Sequence, residues 1–275
     1  MSDARLRETL ERLYENFDFE THIQNDPIEF PHRYKTRMDI EVAAFISALF
    51  AYGKVDIFKS FLEKVFLQMG NSPYSFVMEF SRSKDSRRFR GLRYRFNDEK
   101  DLVILILSLK KVMTDHDSLG NTFRAFYENS AGDTRMALTG LADIFLRYAG
   151  QSGIKGKGFG YLVPSPAKGS ACKRLNMFLR WMVRDSDIDF GLWKGIPEKR
   201  LIIPLDTHIA RIAGCLGLTG RKTPDWNMAA EVTESLKRLN PEDPLRYDFA
   251  LCHQGISGVC RADGSSCEKC VLKVD

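Results

Sequence analysis

The sequence predicts an all-α protein. Apolar residues recur at helical spacing in segment after segment, and no stretch alternates apolar and polar residues as a half-exposed strand does. The chain has 275 residues, of which 44% are hydrophobic, so it can bury a large core and is not disordered as a whole. We therefore expect roughly ten helices, arranged in two lobes.

The clearest helical patterns lie in four segments. Each carries apolar side chains three or four positions apart, which gives a helix one apolar face. In chain order they are Leu6–Phe17, Val55–Phe66, Leu102–Leu109 and Met136–Leu146. Asp98 stands where it can cap the N-terminus of the third helix.

A segment rich in glycine and proline, residues 150–169, interrupts the helical pattern. Irregular chain of this length inside a helical protein is usually functional or a linker. We predict an N-terminal helical lobe at residues 1–150 and a C-terminal lobe at residues 151–275. Because the first and last helices can still pack together, the order of the lobes in sequence need not be their order in space.

Basic residues are concentrated although the net charge of +5 is mild. Residues 81–96 hold seven Lys and Arg side chains interleaved with aromatic ones, and residues 155–173 form a second, glycine-rich basic stretch. Such clusters suit phosphate backbones, although a solvated surface explains either one alone. From the first cluster we predict that Arg88, Arg90 and Arg93 contact nucleic acid.

The N-terminus is charged and amphipathic, so no signal peptide is expected. The longest apolar runs, Ile40–Tyr52 and Leu102–Leu109, are too short to span a bilayer. These features predict a cytoplasmic protein with no membrane partner and with reduced thiols.

The segment from Leu201 to Arg211 places an aspartate, Asp206, at the start of a helix after an apolar run that contains proline. A structural N-cap, in which Asp206 accepts hydrogen bonds from backbone N–H groups, explains this residue without any chemistry. The pattern Leu-Asp-Thr-His-Ile-x-Arg nevertheless resembles the catalytic-aspartate segment of the helix-hairpin-helix DNA glycosylase superfamily, which contains endonuclease III. The resemblance implies a two-lobed helical glycosylase-like fold.

A second motif, Gly169-Ser170-Ala171-Cys172-Lys173, resembles the hairpin Gly-x-Gly-x-Lys of that superfamily. Gly169 matches the first glycine and Lys173 the lysine, whereas Ala171 departs from the pattern at the second glycine. The resemblance implies that the backbone of Gly169, Ser170 and Ala171 approaches a DNA phosphate at a helix N-terminus. Considered alone, Lys173 is more simply a surface lysine.

Together these motifs imply a DNA glycosylase with apurinic/apyrimidinic lyase activity. The Lys173 amine would attack the sugar and form a Schiff base, and Asp206 would stabilise the positive charge of the transition state. A lysine attacks only when neutral, and we expect Arg174, Arg180 and the helix N-terminus to favour that form. The chemistry itself needs no cofactor.

The interval between Lys173 and Asp206 resembles the archaeal 8-oxoguanine glycosylase branch more than endonuclease III, and the chain as a whole resembles a less characterised bacterial family within the superfamily. The implied partner is double-stranded DNA with a damaged, oxidised base, bound by a monomer. Phe190 and Trp193, between the two motifs, could line a base pocket, and Tyr52 could act as an aromatic wedge. Core packing is the alternative for Trp193.

Four of the six cysteines, Cys252, Cys260, Cys267 and Cys270, crowd the end of the chain, which in a reducing compartment indicates metal rather than disulfides. The last three reproduce the first spacings of the cluster loop in endonuclease III. The fourth cysteine of that loop is missing, so Cys252 is the candidate to complete the set. Four thiolates suit a [4Fe–4S] cluster or zinc, and a cysteine tail without metal is the alternative.

Two other functions stay open at this point. One is a non-catalytic nucleic-acid-binding protein that retains the glycosylase fold and its basic surface. The other is a structural metalloprotein whose cysteine tail mediates protein contacts.

Overall fold

A computed structural model describes residues 2–260, 270 and 272 of the chain, and these residues are mostly helical. The predicted all-α class is confirmed. The α-helices are α1 (Asp3–Glu15), α2 (Phe19–Ile23), α3 (Glu29–His32), α4 (Arg37–Phe50), α5 (Val55–Met69), α6 (Pro73–Glu79), α7 (Arg82–Asp85), α8 (Glu99–His116), α9 (Leu119–Asn129), α10 (Thr134–Gln151), α11 (Phe159–Leu162), α12 (Lys173–Val183), α13 (Thr207–Cys215), α14 (Trp226–Leu239) and α15 (Asp248–Ile256).

Shorter elements complete the described secondary structure. Single 3-10 turns occur at Ser86–Phe89, Pro166–Lys168 and Glu198–Arg200. Strands β1 (Arg93–Tyr94) and β2 (Asn97–Asp98) pair antiparallel, with Arg93 opposite Asp98 and Tyr94 opposite Asn97. Arg95 and Phe96 therefore form the tip of a tight hairpin.

The four segments with the clearest periodicity are helices α1, α5, α8 and α10. Asp98 caps α8 as expected, because its side chain accepts hydrogen bonds from the backbone N–H groups of Lys100 and Asp101. The described residues contain more helices than the sequence predicts. The additional ones include α2, α3, α7 and α11, which have four or five residues each and are too short to show a repeating apolar face.

The chain divides into two compact units. We call residues 23–168 the central unit, and residues 1–22 together with 169–275 the discontinuous unit. The Gly/Pro-rich segment that we expected as a connection thus falls almost entirely within the central unit. The lobe boundary near residue 150 stays a prediction.

Within the central unit, α4 forms the core. Its residues from Asp39 to Phe50 are all buried, and from Val42 onward only Ser47 is polar, so this part of the helix must be covered all round. The buried carboxylate of Asp101 on α8 accepts hydrogen bonds from the Gly158 N–H, with both oxygens 3.1 Å from the nitrogen. A Cβ at Gly158 would lie 2.3 Å from the Phe96 carbonyl oxygen, so glycine is required where this loop meets the hairpin.

In the discontinuous unit, α1 packs against α14, and α13 packs against α15. Glu11 of α1 accepts a hydrogen bond of 2.5 Å from the Tyr247 hydroxyl and forms an ion pair of 3.2 Å with Arg246. The first helix therefore belongs with the end of the chain. None of the helices described here is both long and apolar enough to cross a lipid bilayer.

Candidate functional site

Asp206 is the N-cap of α13, as its sequence position predicts. Its Oδ1 accepts hydrogen bonds from the backbone N–H groups of His208 and Ile209, both at 2.9 Å. Its second oxygen, Oδ2, faces α15 and accepts a hydrogen bond from the Cys252 thiol, with Sγ and Oδ2 3.5 Å apart. Both carboxylate oxygens are therefore held, Oδ1 by α13 and Oδ2 by α15.

Lys173 is the first residue of α12 and follows a tight turn. Gly169 and Cys172 in this turn have positive φ angles of 79° and 48°. The turn is fixed by hydrogen bonds from the Cys172 N–H to Ser170 Oγ (3.2 Å) and from the Trp226 N–H to the Gly169 carbonyl (3.1 Å).

The predicted phosphate contact of Gly169, Ser170 and Ala171 stays a prediction. Gly169 is exposed at the turn, Ser170 is half-buried and Ala171 is buried. The hydrogen bond to Ser170 Oγ already uses the Cys172 N–H, one of the backbone donors near this helix end.

A buried network of ion pairs lies beside these motifs within the discontinuous unit. Arg180 of α12 pairs with Asp248 of α15 at 2.5 Å and with Asp189 at 3.2 Å. Arg184 pairs with three carboxylates at 2.8 to 3.0 Å, those of Asp187, Asp189 and Asp243. We expected Arg180 to act on Lys173, but its guanidinium is instead neutralised by two carboxylates.

The pKa of Asp248 reflects this setting. Burial raises it to about 6, against the lowering effect of Arg180, and the charge of nearby Asp206 adds to the rise. Asp248 and Asp206 are thus close enough to influence each other electrostatically.

Lys173 and Asp206 differ from the network. Both side chains are half-buried, yet neither forms an ion pair with any residue in the described part of the chain, nor do they pair with each other. Because no opposite charge of the described residues neutralises them, these two groups are the candidates for binding or chemistry in this unit.

The three residues predicted for a base pocket lie in different settings. Trp193 is 1% exposed, and its ring packs edge-to-face on Phe178 with centroids 5.2 Å apart. Phe190 is half-buried. The half-buried Tyr52 donates a hydrogen bond of 2.6 Å to Asn97 Oδ1 in the central unit. Contact of a base with Trp193 stays a prediction, one that would require its covering residues to move.

The predicted basic surface lies in the central unit. Arg88, Arg90 and Arg93 are all exposed, although Arg88 forms an ion pair of 3.1 Å with Asp85. Sequence reasoning missed an exposed aromatic pair near these arginines. Phe96 at the hairpin tip is 58% exposed and packs edge-to-face on Tyr161 of α11, which is 47% exposed.

Arg95, the other residue of the tip, has a φ of 49° and lies with its guanidinium 5.6 Å from the centroid of the Phe96 ring. A turn signal at residues 95–96 would have identified this tip, but neither residue is a usual turn former.

The predicted metal site of four cysteines lies partly outside the described residues. Cys252 lies against Asp206, and Cys267 lies outside the described residues. In residues 2–260, 270 and 272, no group of three or more His, Cys, Asp or Glu side chains could hold a metal ion. The role of Cys252 as the fourth thiolate stays a prediction.

Comparison with known proteins gives a family and a partial relative. The model of the family described as "Protein of unknown function (DUF2400)" matches residues 26–257. Endonuclease III of Thermotoga maritima is 34% identical over 85 residues, which are 30% of this chain and 35% of that protein. The match thus spans about a third of the length of this curated relative. None of the solved structures matches the chain.

Proposed function

The chain belongs to the family described as "Protein of unknown function (DUF2400)", and we propose that it is a DNA glycosylase with apurinic/apyrimidinic lyase activity. Its substrate would be double-stranded DNA that contains a damaged, oxidised base, bound by one copy of the chain. The partial similarity to endonuclease III supports action on DNA.

One observation carries the proposal. In a unit where carboxylates neutralise the buried Arg180 and Arg184, Lys173 and Asp206 form no ion pair with any described residue. An uncompensated carboxylate with both oxygens held is suited to stabilise positive charge that develops on a sugar. The amine of Lys173 stands at the first position of α12, the place that the nucleophilic lysine occupies in the motif it resembles.

The reaction would proceed through a covalent adduct between Lys173 and the sugar. The Lys173 nitrogen forms a bond to the anomeric carbon while the glycosidic bond breaks, and the departing base takes that electron pair and a proton. Ring opening converts the adduct to a Schiff base. Loss of a proton from the adjacent carbon then expels the 3′ phosphate, and water releases the sugar and restores the amine.

The exposed side chains of the central unit are proposed to bind the DNA. Arg90 and Arg93 would contact phosphates, together with Arg88 if its ion pair with Asp85 opens. The exposed rings of Phe96 and Tyr161, with Arg95 beside them, offer faces and edges on which a nucleobase can stack.

A borohydride-trapping assay on a panel of lesion-bearing duplexes tests the proposed function. Borohydride reduces a Schiff base to a stable amine, so a lyase becomes covalently linked to its substrate. We expect trapping on at least one oxidised lesion. Salt-dependent DNA binding without trapping on any lesion would favour a non-catalytic nucleic-acid-binding protein, and absence of both would leave the structural metalloprotein.

Charge reversal of Arg88, Arg90 and Arg93 to Glu should flatten the salt dependence of duplex binding. Each lost phosphate contact reduces the slope of log K against log salt by roughly 0.9. The slope is measured by fluorescence anisotropy over a salt series. Reversal of Arg5, Arg7 and Arg12, which are exposed on α1 and outside the basic cluster, changes the net charge equally and serves as control. Equal slopes for both triple variants would remove the cluster from the DNA interface.

A metal in the cysteine tail stays a prediction from the sequence, and no step above passes through it. If Cys260, Cys267 and Cys270, with Cys252 as the predicted fourth ligand, hold an iron–sulfur cluster or zinc, anaerobically purified protein contains that metal and Cys267→Ser loses it. Elemental analysis and the visible absorption spectrum measure the metal content of the parent and of the Cys267→Ser variant. Parent protein with neither iron nor zinc would contradict the prediction.

A further inference from the structure

Helix α15 contacts the Asp206 segment at three successive points. Cys252 donates to Asp206 Oδ2. One turn later, Gly255 lies so close to α13 that a Cβ there would be 2.6 Å from the Cβ of His208. Beyond the helix, the Cys260 carbonyl accepts a hydrogen bond of 2.6 Å from Arg211. These contacts fix α13 against α15 from its N-cap to its second turn.

The same helix is also fixed to α12. Asp248 precedes Cys252 by four residues, so both side chains lie on one face of α15. Asp248 holds Arg180 of α12 at 2.5 Å, whereas Cys252 holds the N-cap of α13. Helix α15 thus links α12, which begins at Lys173, to α13, which Asp206 caps.

From these contacts we infer that Cys252 is a positioning residue for the Asp206 carboxylate, an inference that rests on the proposed function. The cap fixes Oδ1 only, and the carboxylate can still rotate about this anchored oxygen. The thiol fixes Oδ2 and so sets the plane of the carboxylate.

The weakness of a thiol as a donor matters here. A strong or charged donor would neutralise much of the charge on Oδ2, and that charge is what a cationic transition state needs. A thiol orients the oxygen and leaves most of its charge available.

Two substitutions separate the donor from the packing. Cys252→Val keeps an apolar side chain of similar volume but removes the S–H, whereas Cys252→Ser keeps a donor. We expect Val to lower kcat for base excision by about tenfold or more, because small errors in catalytic geometry are costly, with duplex Kd and Tm almost unchanged. We expect Ser to stay within about threefold of the parent. Cys215→Ser, an exposed cysteine at the end of α13, is the matched control.

An infrared measurement tests the contact without any activity. The S–H stretching band assigned to Cys252, by its loss in Cys252→Val, should lie at lower frequency than that of exposed Cys215 and should move upward in Asp206→Ala. Parent protein that traps no lesion would overturn the proposed function, while the band still decides whether the thiol holds Asp206. A Cys252 band that does not respond to Asp206→Ala, or equal kcat values in the Val and Ser variants, would overturn the inference.

Discussion

Replacement of Lys173 by alanine should reduce borohydride trapping to background. The Lys173 amine is the proposed nucleophile, and the methyl group of alanine cannot form a Schiff base. Folding should be preserved because the Lys173 side chain makes no hydrogen bond or ion pair with the described residues, and alanine is a good residue for the start of a helix. Trapping yield on the lesion that the parent accepts best is the measurement.

A matched control for this variant is Lys222→Ala. Lys222 is an exposed lysine of the same unit, so its loss changes the net charge equally. We expect Lys222→Ala to trap normally and both variants to bind duplex DNA with similar affinity. An undiminished adduct in the Lys173→Ala protein would assign the nucleophile to another residue.

Replacement of Asp206 by asparagine should lower turnover by about 10²–10³-fold, the range found when an electrostatic contact to transition-state charge is lost. Stability should change little. The amide oxygen of asparagine can still accept from the His208 and Ile209 N–H groups, and asparagine is as good an N-cap as aspartate. Single-turnover excision kinetics and thermal unfolding measure the two effects.

Asp206→Ala distinguishes the cap from the chemistry. Alanine loses the charge and the cap together, so we expect the same loss of turnover plus a destabilisation of about 1 kcal/mol. Near-parental excision by the asparagine variant would reduce Asp206 to a structural cap.

The parts of this fold that follow from local rules were predictable. Periodic apolar residues located α1, α5, α8 and α10, and the caps at Asp98 and Asp206 follow from side chains that bond to N–H groups two or three residues ahead. Such patterns lie within one helix and can be read without knowing the tertiary structure.

Contacts between distant segments were not predictable in this way. Proximity in sequence grouped Cys252 with the cysteines of the tail, whereas its place on α15 directs the thiol to Asp206, 46 positions away. Arg180 lies on the same helix as Lys173, but its partners Asp189 and Asp248 come from other segments. The exposed hairpin tip at Arg95 and Phe96 was missed because it forms without the glycine or asparagine that usually marks such turns.

The most direct test of the proposed lyase is to locate the trapped adduct. The parent protein is incubated with its preferred lesion duplex and borohydride, digested with protease and nuclease, and analysed by mass spectrometry. The Lys173/Asp206 assignment predicts a reduced sugar remnant on the peptide that contains Lys173. An adduct on any other lysine, or none on any duplex of the panel, would contradict it.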